Sequence, residues 1–170
     1  AIDVRLARLD ELDHLPRIER SAAAAFRGSS QDAIADDAVS PATLYIPLQA
    51  QGLVWVAEDG SGPSGFAACE AFDDALHLWE LAVRRERQGQ GVGRALIRAV
   101  TDAARARGCA AVTLTTIREI AWNAPFYARL GFRELAAHEL DGRLAEVLSR
   151  EAAKGLDVAA RCAMRLEVQG

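Results

Sequence analysis

Apolar and polar positions alternate at the start of the chain and then take on helical spacing. The alternation predicts a first strand with one buried face, formed by Ile2, Val4 and Leu6. Apolar residues then recur with a helical period as far as Phe26, so we expect a helix that Asp10 caps and that Pro16 kinks or restarts. A second helix is expected through Leu44, Tyr45 and Leu48.

Three apolar runs in the middle of the chain predict an antiparallel meander. The first two are Leu53 to Ala57 and Gly65 to Phe72, and the turn between them contains Asp59-Gly60, a pair typical of hairpin tips. The third run, Ala75 to Val83, follows after only two acidic residues, which leaves room for a tight turn alone.

The second half of the chain alternates between helical and strand patterns. A helix that ends at Gly108 is followed by a strand from Cys109 to Thr115, and a helical crossover of this kind favours a parallel pair. The remaining expected elements are a short helix capped by Asn123 and closed by Gly131, a strand from Phe132 to Ala136, a helix from Asp141 to Gly155 and a strand from Arg161 to Val168. This order predicts a single α+β (α/β mixed) domain over residues 1–170, with a central, mostly antiparallel mixed sheet of about seven strands and helices on both faces.

Composition narrows the class of protein. Hydrophobic residues make up 51% and charged residues 26% of the chain, which is typical of a globular protein, and no apolar run is long enough to span a bilayer. The N-terminus is charged from Asp3 onwards, unlike a signal peptide, so we expect a cytoplasmic protein without a membrane partner. A net charge of -4 argues against nucleic acid as a partner. The alanine- and arginine-rich composition is typical of a high-GC bacterium.

Cysteine and histidine usage predicts neither disulfides nor a metal site. Cys69, Cys109 and Cys162 are far apart and lie in apolar runs, which indicates reduced core thiols. The three histidines show no paired spacing with them.

Three alternate glycines, Gly89, Gly91 and Gly93, connect the strand Ala75 to Val83 with an amphipathic helix. Glycine lets a backbone approach a ligand closely, and a helix start offers unpaired N–H groups and a positive dipole end, so this order suits phosphate. A dinucleotide fingerprint would need glycine at Arg94, and the Gly-Lys-Ser/Thr of a P-loop is absent. On the glycines alone, a turn without any ligand is an equal alternative.

Two motifs carry a resemblance to a known family. Read as Gln88-x-x-Gly91-x-Gly93 after a strand that ends in Leu-Ala-Val, the glycine stretch resembles the acyl-CoA pyrophosphate loop of the GNAT superfamily of N-acetyltransferases. The segment from Trp122 to Phe132 is similar to the N-x-x-x-Y-x-x-x-G-F segment of the same family. The resemblance implies the GNAT fold, whose fourth and fifth strands splay apart to admit the cofactor, and acetyl-CoA as co-substrate.

The resemblance also implies which residues contact acetyl-CoA. Asn123 takes the role of contacting the pantetheine arm, although a helix cap explains this asparagine equally well without the resemblance. The implied cofactor-binding residues are Leu81, Val83, Gln88, Gly89, Gly91, Val92, Gly93, Arg94, Asn123 and Phe126.

Glu80 is the anomalous residue of its strand. Strict alternation places Leu76, Leu78, Glu80 and Ala82 on one face and His77 with Trp79 on the other. A carboxylate in a strand buried on both faces loses hydration, which raises its pKa and suits it to accept a proton. A salt-bridged or edge-facing glutamate is the favoured alternative from spacing alone, whereas the resemblance implies a catalytic or water-positioning acid here. His77 is expected to be structural.

The implied reaction is acetyl transfer from acetyl-CoA to a primary amine of a small molecule or peptide, by direct attack in a ternary complex. Glu80 would deprotonate the amine, backbone N–H groups near Leu81 to Val83 would stabilise the oxyanion, and Tyr127 would stabilise the leaving thiolate. Tyr127 also fits an ordinary core position. The alternative function is a non-catalytic acyl-CoA-binding or sensor domain, and the sequence leaves the acceptor and a homodimer open.

Overall fold

The computed structural model describes residues 1–168, and seven strands in these residues form one sheet in the order β1-β2-β3-β4-β5-β7-β6. The strands are β1 (Asp3–Leu6), β2 (Val54–Glu58), β3 (Pro63–Ala71), β4 (Ala75–Val83), β5 (Ala111–Ile117), β6 (Arg133–Glu134) and β7 (Arg161–Glu167). The helices are α1 (Leu15–Ala23), α2 (Ile46–Ala50), α3 (Val92–Ala106), α4 (Ala124–Arg129) and α5 (Gly142–Ala153). The mixed α+β fold and the parallel pairing of β4 with β5 are confirmed, and the other registered pairs are antiparallel.

Two compact units make up this structure. One consists of Ala1–Ala71 with Leu78–Ala103, and the other of Phe72–His77 with the chain from Ala104 onwards. The expectation of a single domain stays a prediction. No helix among residues 1–168 combines the length and apolar character needed to cross a bilayer.

The first unit has a hydrophobic core between α1 and strand β3. Leu15 and Ile18 of α1 are fully buried and pack with Phe66 and Ala68 of β3. Tyr45 and Ala82 belong to the same cluster. Each buried side chain of this size contributes about 1.5–3 kcal/mol, so this cluster stabilises the first unit.

Gly65 sets the packing on the opposite face of β3. A Cβ atom at this position would come within 2.9 Å of the Ala82 carbonyl oxygen, 3.1 Å of Val92 Cγ1 and 3.3 Å of Leu96 Cδ1. The first turns of α3 can therefore approach β3 and β4 only because residue 65 lacks a side chain.

The predicted N-terminal elements are partly wrong. Leu6 is 52% and Ile2 37% exposed, so the expected buried face of β1 is not formed. The predicted helix is broken into a 3₁₀ turn (Leu9–His14), α1 and a second 3₁₀ turn (Ala24–Phe26). Pro16 lies in the first turn of α1, where its missing N–H costs no hydrogen bond, and Asp10 is exposed rather than a cap of α1.

Arg5 explains why β1 does not follow the hydrophobic pattern. Its guanidinium binds both oxygens of Glu11 at 2.7 and 2.8 Å and Glu58 Oε1 at 3.1 Å. Glu11 is buried and also accepts the Arg8 backbone N–H at 2.8 Å. An ion-pair network therefore occupies the space where apolar side chains were expected.

The second unit contains β5, β6, β7, α4 and α5. Leu144 of α5 packs with Leu135 and Ala163, and Asp141 caps this helix, because its Oδ1 accepts the Leu144 N–H at 2.8 Å. Gly108 and Gly131 have the positive φ angles expected at helix ends. The three cysteines are buried in the core, as predicted.

Candidate active site

The loop between β4 and α3 has a backbone shape that depends on its glycines. Gly89 has a φ angle of +76° and Gly91 of +90°, both in the left-handed region that other residues rarely enter. Gln88 Nε2 donates to the Val83 carbonyl oxygen at 3.0 Å and ties the loop to the end of β4. The loop is therefore ordered by its own contacts while Gly89, Gln90 and Gly91 stay exposed.

The start of α3 provides hydrogen-bond donors beside this loop. Ala95 N donates to the Gly91 carbonyl oxygen at 3.0 Å, so the N–H groups of Val92, Gly93 and Arg94 lie in the first turn, where a helix supplies no carbonyl partner. α3 is 15 residues long and has no acidic residue in its first turn. Its dipole and its N–H groups thus both favour a bound anion such as phosphate.

Three of the four arginines around the loop are committed to the protein itself. Arg84 Nε donates to the Pro63 carbonyl, Arg85 Nη1 to the Ala24 carbonyl, and Arg87 pairs with Asp59 at 2.6 Å. Arg94 is exposed at the helix start. The backbone, with Arg94, is therefore a better candidate for anion binding than the arginine cluster as a whole.

Glu80 is half-buried, so the predicted burial on both faces is wrong. Strict alternation along β4 also fails. Ala82 packs with Phe66 and Ala68, while Trp79 Nε1 donates at 2.9 Å to Glu70, which shares the face of Phe66 and Ala68 by its spacing on β3. Trp79 and Ala82 thus lie on one face although an odd number of residues separates them.

The Glu80 carboxylate lies near the Tyr45 hydroxyl, on the side of the sheet covered by α1. Burial raises the pKa of Tyr45 above its ordinary value, and the negative charges of Glu80 and Glu19 raise it further. The Tyr45 hydroxyl donates to Glu19 Oε1 at 3.0 Å, and Ser40 N donates to Glu19 Oε2 at 2.8 Å. The phenol therefore stays protonated and holds a second carboxylate close to the candidate base.

Leu81 and Val83 lie on either side of Ala82 near the end of β4, and both are half-buried. With Glu80 and the residues from Gln88 to Arg94, they form the part of the predicted site that belongs to the first unit.

Asn123 is not the side-chain cap that its position suggests. Its side-chain oxygen accepts from Thr116 Oγ1 at 2.8 Å and from Ile117 N at 3.4 Å, whereas it makes no capping hydrogen bond to α4. β5 therefore fixes the direction of the amide, and the NH₂ group is oriented as a donor away from the strand. This arrangement suits contact with a polar chain better than it suits capping.

Tyr127 is buried in an aromatic cluster. Its ring meets Phe126 at a centroid distance of 5.2 Å and Phe132 at 5.5 Å, both edge to face. Its backbone N–H donates to the Asn123 carbonyl at 3.0 Å, so Asn123 precedes α4 and Tyr127 lies one turn later. Asn123, Phe126 and Tyr127 are the predicted site residues of the second unit.

Two polar residues of this region were missed by sequence reasoning. Glu19 lies 26 positions before Tyr45, and Thr116 lies on a strand whose alternation alone marks no function. Glu19 interrupts an otherwise small and apolar helical stripe next to Ile18, which is a weak signal at best. Neither contact can be read from local spacing.

A known family model matches half of the chain. The family model described as "Acetyltransferase (GNAT) domain" matches residues 50–134, a range that includes the glycine loop and α4. N-acetyltransferase 8F1 of Rattus norvegicus is 33% identical over 93 residues, which cover 51% of this chain. The match spans only 42% of the length of the rat protein.

Solved structures share the fold over the whole chain. The ribosomal-protein-S18-alanine N-acetyltransferase of Escherichia coli superposes with a TM-score of 0.70 at 18% identity, covering 100% of this chain and 96% of its own. The PaiA N-acetyltransferase of Thermoplasma acidophilum, solved in complex with coenzyme A, has a TM-score of 0.71 at 15% identity and covers 98% and 99%. At these identities the likeness establishes the architecture.

Proposed function

Because the chain belongs to the GNAT acetyltransferase family, we propose that it moves an acetyl group from acetyl-CoA to a primary amine of a small molecule or peptide. One observation carries this proposal: the family match covers a loop whose backbone is preformed for an anion at the start of a 15-residue helix. A non-catalytic acyl-CoA-binding domain is not favoured, since the matching rat protein and the structural relatives are named as N-acetyltransferases.

The pyrophosphate of acetyl-CoA is proposed to lie over the backbone from Gln88 to Gly93. Exposed glycines permit close approach, and the N–H groups of the first turn of α3 donate to the phosphate oxygens. Arg94 adds a positive charge there. Leu81, Val83 and Phe126 are proposed to contact the acyl and pantetheine parts, and Asn123 donates from the amide that Thr116 orients.

Glu80 is proposed to remove the proton that blocks the amine. A lysine-like amine has a reference pKa near 10.4 and is protonated at neutral pH, so attack on the thioester needs a base. Half-burial keeps the Glu80 carboxylate within reach of solvent, which supports transfer directly or through a water molecule. The neutral amine then attacks the thioester carbonyl, and backbone N–H groups near Leu81 to Val83 stabilise the oxyanion.

Tyr127 is proposed to stabilise the departing thiolate of coenzyme A. Reference pKa values of about 10 for tyrosine and about 8.5 for a thiol make full proton transfer uphill by roughly 2 kcal/mol. Hydrogen-bond donation while the carbon–sulfur bond breaks is therefore favoured over a separate transfer step. A covalent acetyl-cysteine route is disfavoured because the three cysteines are buried, and burial raises the pKa of the Cys162 thiol to about 11.

Incubation of the protein with acetyl-CoA and a broad amine and peptide panel, read by mass spectrometry, tests the activity. We expect a mass increase of one acetyl group on a subset of amines and release of one free coenzyme A thiol for each. Tight acetyl-CoA binding without turnover across the whole panel would instead support the sensor function.

The setting of the reaction is also a proposal. We propose a bacterial, cytoplasmic enzyme that needs no metal and acts on acetyl-CoA and an amine rather than on nucleic acid or a membrane. The net charge of -4 and the three buried cysteine thiols support this view. Analytical ultracentrifugation at several concentrations would decide whether it forms a homodimer.

A further inference from the structure

Arg143 occupies an unusual position at the beginning of α5. It is the second residue of the helix and is half-buried. A cation at this end of a helix faces the positive end of the dipole, which is unfavourable by about 0.3–1 kcal/mol. An arginine at this position is therefore expected to be stabilised by other contacts or to bind an anionic partner.

The contacts of Arg143 hold the guanidinium in one orientation without neutralising it. Its Nη1 donates to His77 Nδ1 at 3.1 Å, its Nη2 donates to Thr113 Oγ1 at 3.2 Å, and its central carbon lies 4.3 Å from the centroid of the Phe72 ring. Within the part of the chain that the structure describes, both hydrogen-bond partners of Arg143 are uncharged groups. The Arg143 cation therefore lies against the Phe72 ring and donates hydrogen bonds to two neutral acceptors.

His77 is kept neutral by the same arrangement. Burial and the Arg143 charge lower the pKa of His77 to about 3, while Asp141 opposes this effect. Because the Arg143 guanidinium can only donate, His77 Nδ1 acts as the acceptor and the proton resides on Nε2. Thr113 Oγ1 lies 2.8 Å from the same Nδ1 atom. The imidazole consequently orients Arg143 and adds no charge of its own at neutral pH.

Asp141 and Glu167 have hydrogen-bond partners of their own, although the charge of Asp141 still acts on His77 and, together with that of Asp74, on Arg165. Asp141 Oδ1 accepts the Leu144 N–H as the cap of α5, and Glu167 binds Arg165 through both oxygens at 2.6 and 3.3 Å. Arg165 is the register partner of Thr113, as His77 is on the other side. A second guanidinium therefore lies in the same cross-strand row.

The geometry points to Arg143 as the anchor of a carboxylate-binding site, which takes either the carboxylate of an amino-acid-like acceptor or a separate small carboxylate. A guanidinium has five N–H donors, and the two hydrogen bonds to His77 and Thr113 leave three for a ligand. Its planar fork matches a carboxylate through two parallel hydrogen bonds. Only the acceptor source rests on the proposed acetyltransferase function.

A binding titration without turnover decides the proposal. The ¹⁵N-labelled protein is titrated with succinate and, at matched ionic strength, with neutral succinamide and with chloride. We expect succinate alone to shift the Arg143 side chain and the Thr113 amide, and R143Q to raise the succinate Kd about tenfold or more, the effect of losing one charged hydrogen-bond pair. R143K retains a charge but not the fork and should fall in between.

R150Q provides the matched control. Arg150 lies on the same helix, but it is 70% exposed and is paired with Glu146 one turn away. We expect R150Q to bind succinate like the original protein. If succinate causes no shift at Arg143 and Thr113, or if R143Q and R143K remain folded and bind it unchanged, Arg143 only fastens α5 to the sheet and the proposal is overturned.

The acetylation panel then distinguishes the two sources. With lysine, lysinamide and cadaverine as matched probes, an acceptor carboxylate predicts a KM in R143Q about tenfold higher for lysine and unchanged for the other two, with kcat retained. A separate carboxylate predicts that succinate alters turnover of cadaverine in the original protein but not in R143Q. Because the titration needs no catalysis, a failure of the proposed activity leaves its result intact.

Discussion

At Tyr127, replacement by phenylalanine removes one hydroxyl group and leaves the ring packing against Phe126 and Phe132 in place. We expect Tyr127→Phe to lower kcat about 10²-fold or more, the usual cost of losing one donor to a developing anion, while the Kd for acetyl-CoA changes little. Steady-state kinetics on an identified acceptor, with calorimetric binding of coenzyme A, measures both. If the turnover rate of the variant stays within a few-fold of the original, Tyr127 has only a structural role.

Glu80→Gln keeps the shape of the side chain and removes its ability to take a proton. If Glu80 is the base, kcat/KM of the original enzyme rises with pH through an apparent pKa. The variant should lose activity at neutral pH and partly recover it at higher pH, where more of the amine is already neutral. Acetyl-CoA affinity should stay the same. A variant with an unaltered rate and pH profile would show that another acid, such as Glu19, does the work.

The residues of the candidate site could be predicted from local sequence motifs. The residues that surround them could not, because those contacts depend on tertiary packing. Both motifs are short and are recognised by the spacing of their residues: Gln88 to Arg94 and Asn123 to Tyr127. The contact of Tyr45 with Glu19 joins residues 26 positions apart, and the Thr116 hydroxyl that orients Asn123 comes from a strand. No periodicity encodes either contact. The half-burial of Glu80 likewise depends on what packs over the strand.

At the scale of elements, the glycine loop gives the sharpest test of cofactor binding. Gly91→Val forces a β-branched residue into a left-handed conformation and places its side chain where the pyrophosphate is proposed to lie. We expect the Kd for acetyl-CoA to rise at least tenfold. Gly52→Val is the matched control, because Gly52 has a similar φ angle of +72° and lies outside the loop.

Both variants should lose similar stability in urea unfolding, since the backbone strain is similar. Only Gly91→Val should lose cofactor affinity. Equal acetyl-CoA affinities in the two folded variants would remove the loop from the proposed site.

Elements with continuous patterns were predicted better than elements with interrupted ones. β4 has the predicted bounds, Ala75–Val83, because its largely apolar run is flanked on one side by an acidic turn and on the other by a charged, glycine-rich loop. The N-terminal helix was predicted as one piece, yet a 3₁₀ turn ends at His14 before α1 begins, and a second one begins at Ala24, where small residues give little preference between helix types. The position of the Arg5 side chain could not be predicted from the sequence. Its two glutamate partners come from different elements, so no local spacing connects them with Arg5.

Acid stability of the whole molecule should depend on Glu11. The hydrogen bonds from Arg5 lower the pKa of Glu11 to about 2, although burial opposes them. A depressed folded-state pKa adds stability that is fully present above the ordinary pKa of about 4.5 and is lost as the pH falls towards 2. Since Arg5 is partly exposed, we expect a contribution of roughly 2 kcal/mol at neutral pH.

Glu11→Gln should therefore flatten the fall of unfolding free energy between pH 4.5 and pH 2, as measured by urea unfolding monitored with circular dichroism. Asp10→Asn is the control, because Asp10 is exposed and its pair with Arg8 is 3.5 Å long. Parallel pH curves for Glu11→Gln and the original protein would contradict the assignment.

Gly65→Ala should disturb the packing of α3 through a single added methyl group. The added methyl group meets the Ala82 carbonyl at 2.9 Å, so α3 or β4 must shift, and overpacking of this kind costs about 1–3 kcal/mol. We expect lower stability and a higher Kd for acetyl-CoA, because Val92 both begins α3 and contacts position 65. Gly142→Ala has open space around it and should change neither quantity.

The missing side chain at position 65 also limits how this sequence can diverge. A side chain there would meet the Ala82 backbone carbonyl, which no smaller residue at Val92 or Leu96 removes, so glycine is expected to be retained at this position among homologous sequences. The middle of β3 is therefore not free to change while β4 and the first turns of α3 keep their present positions.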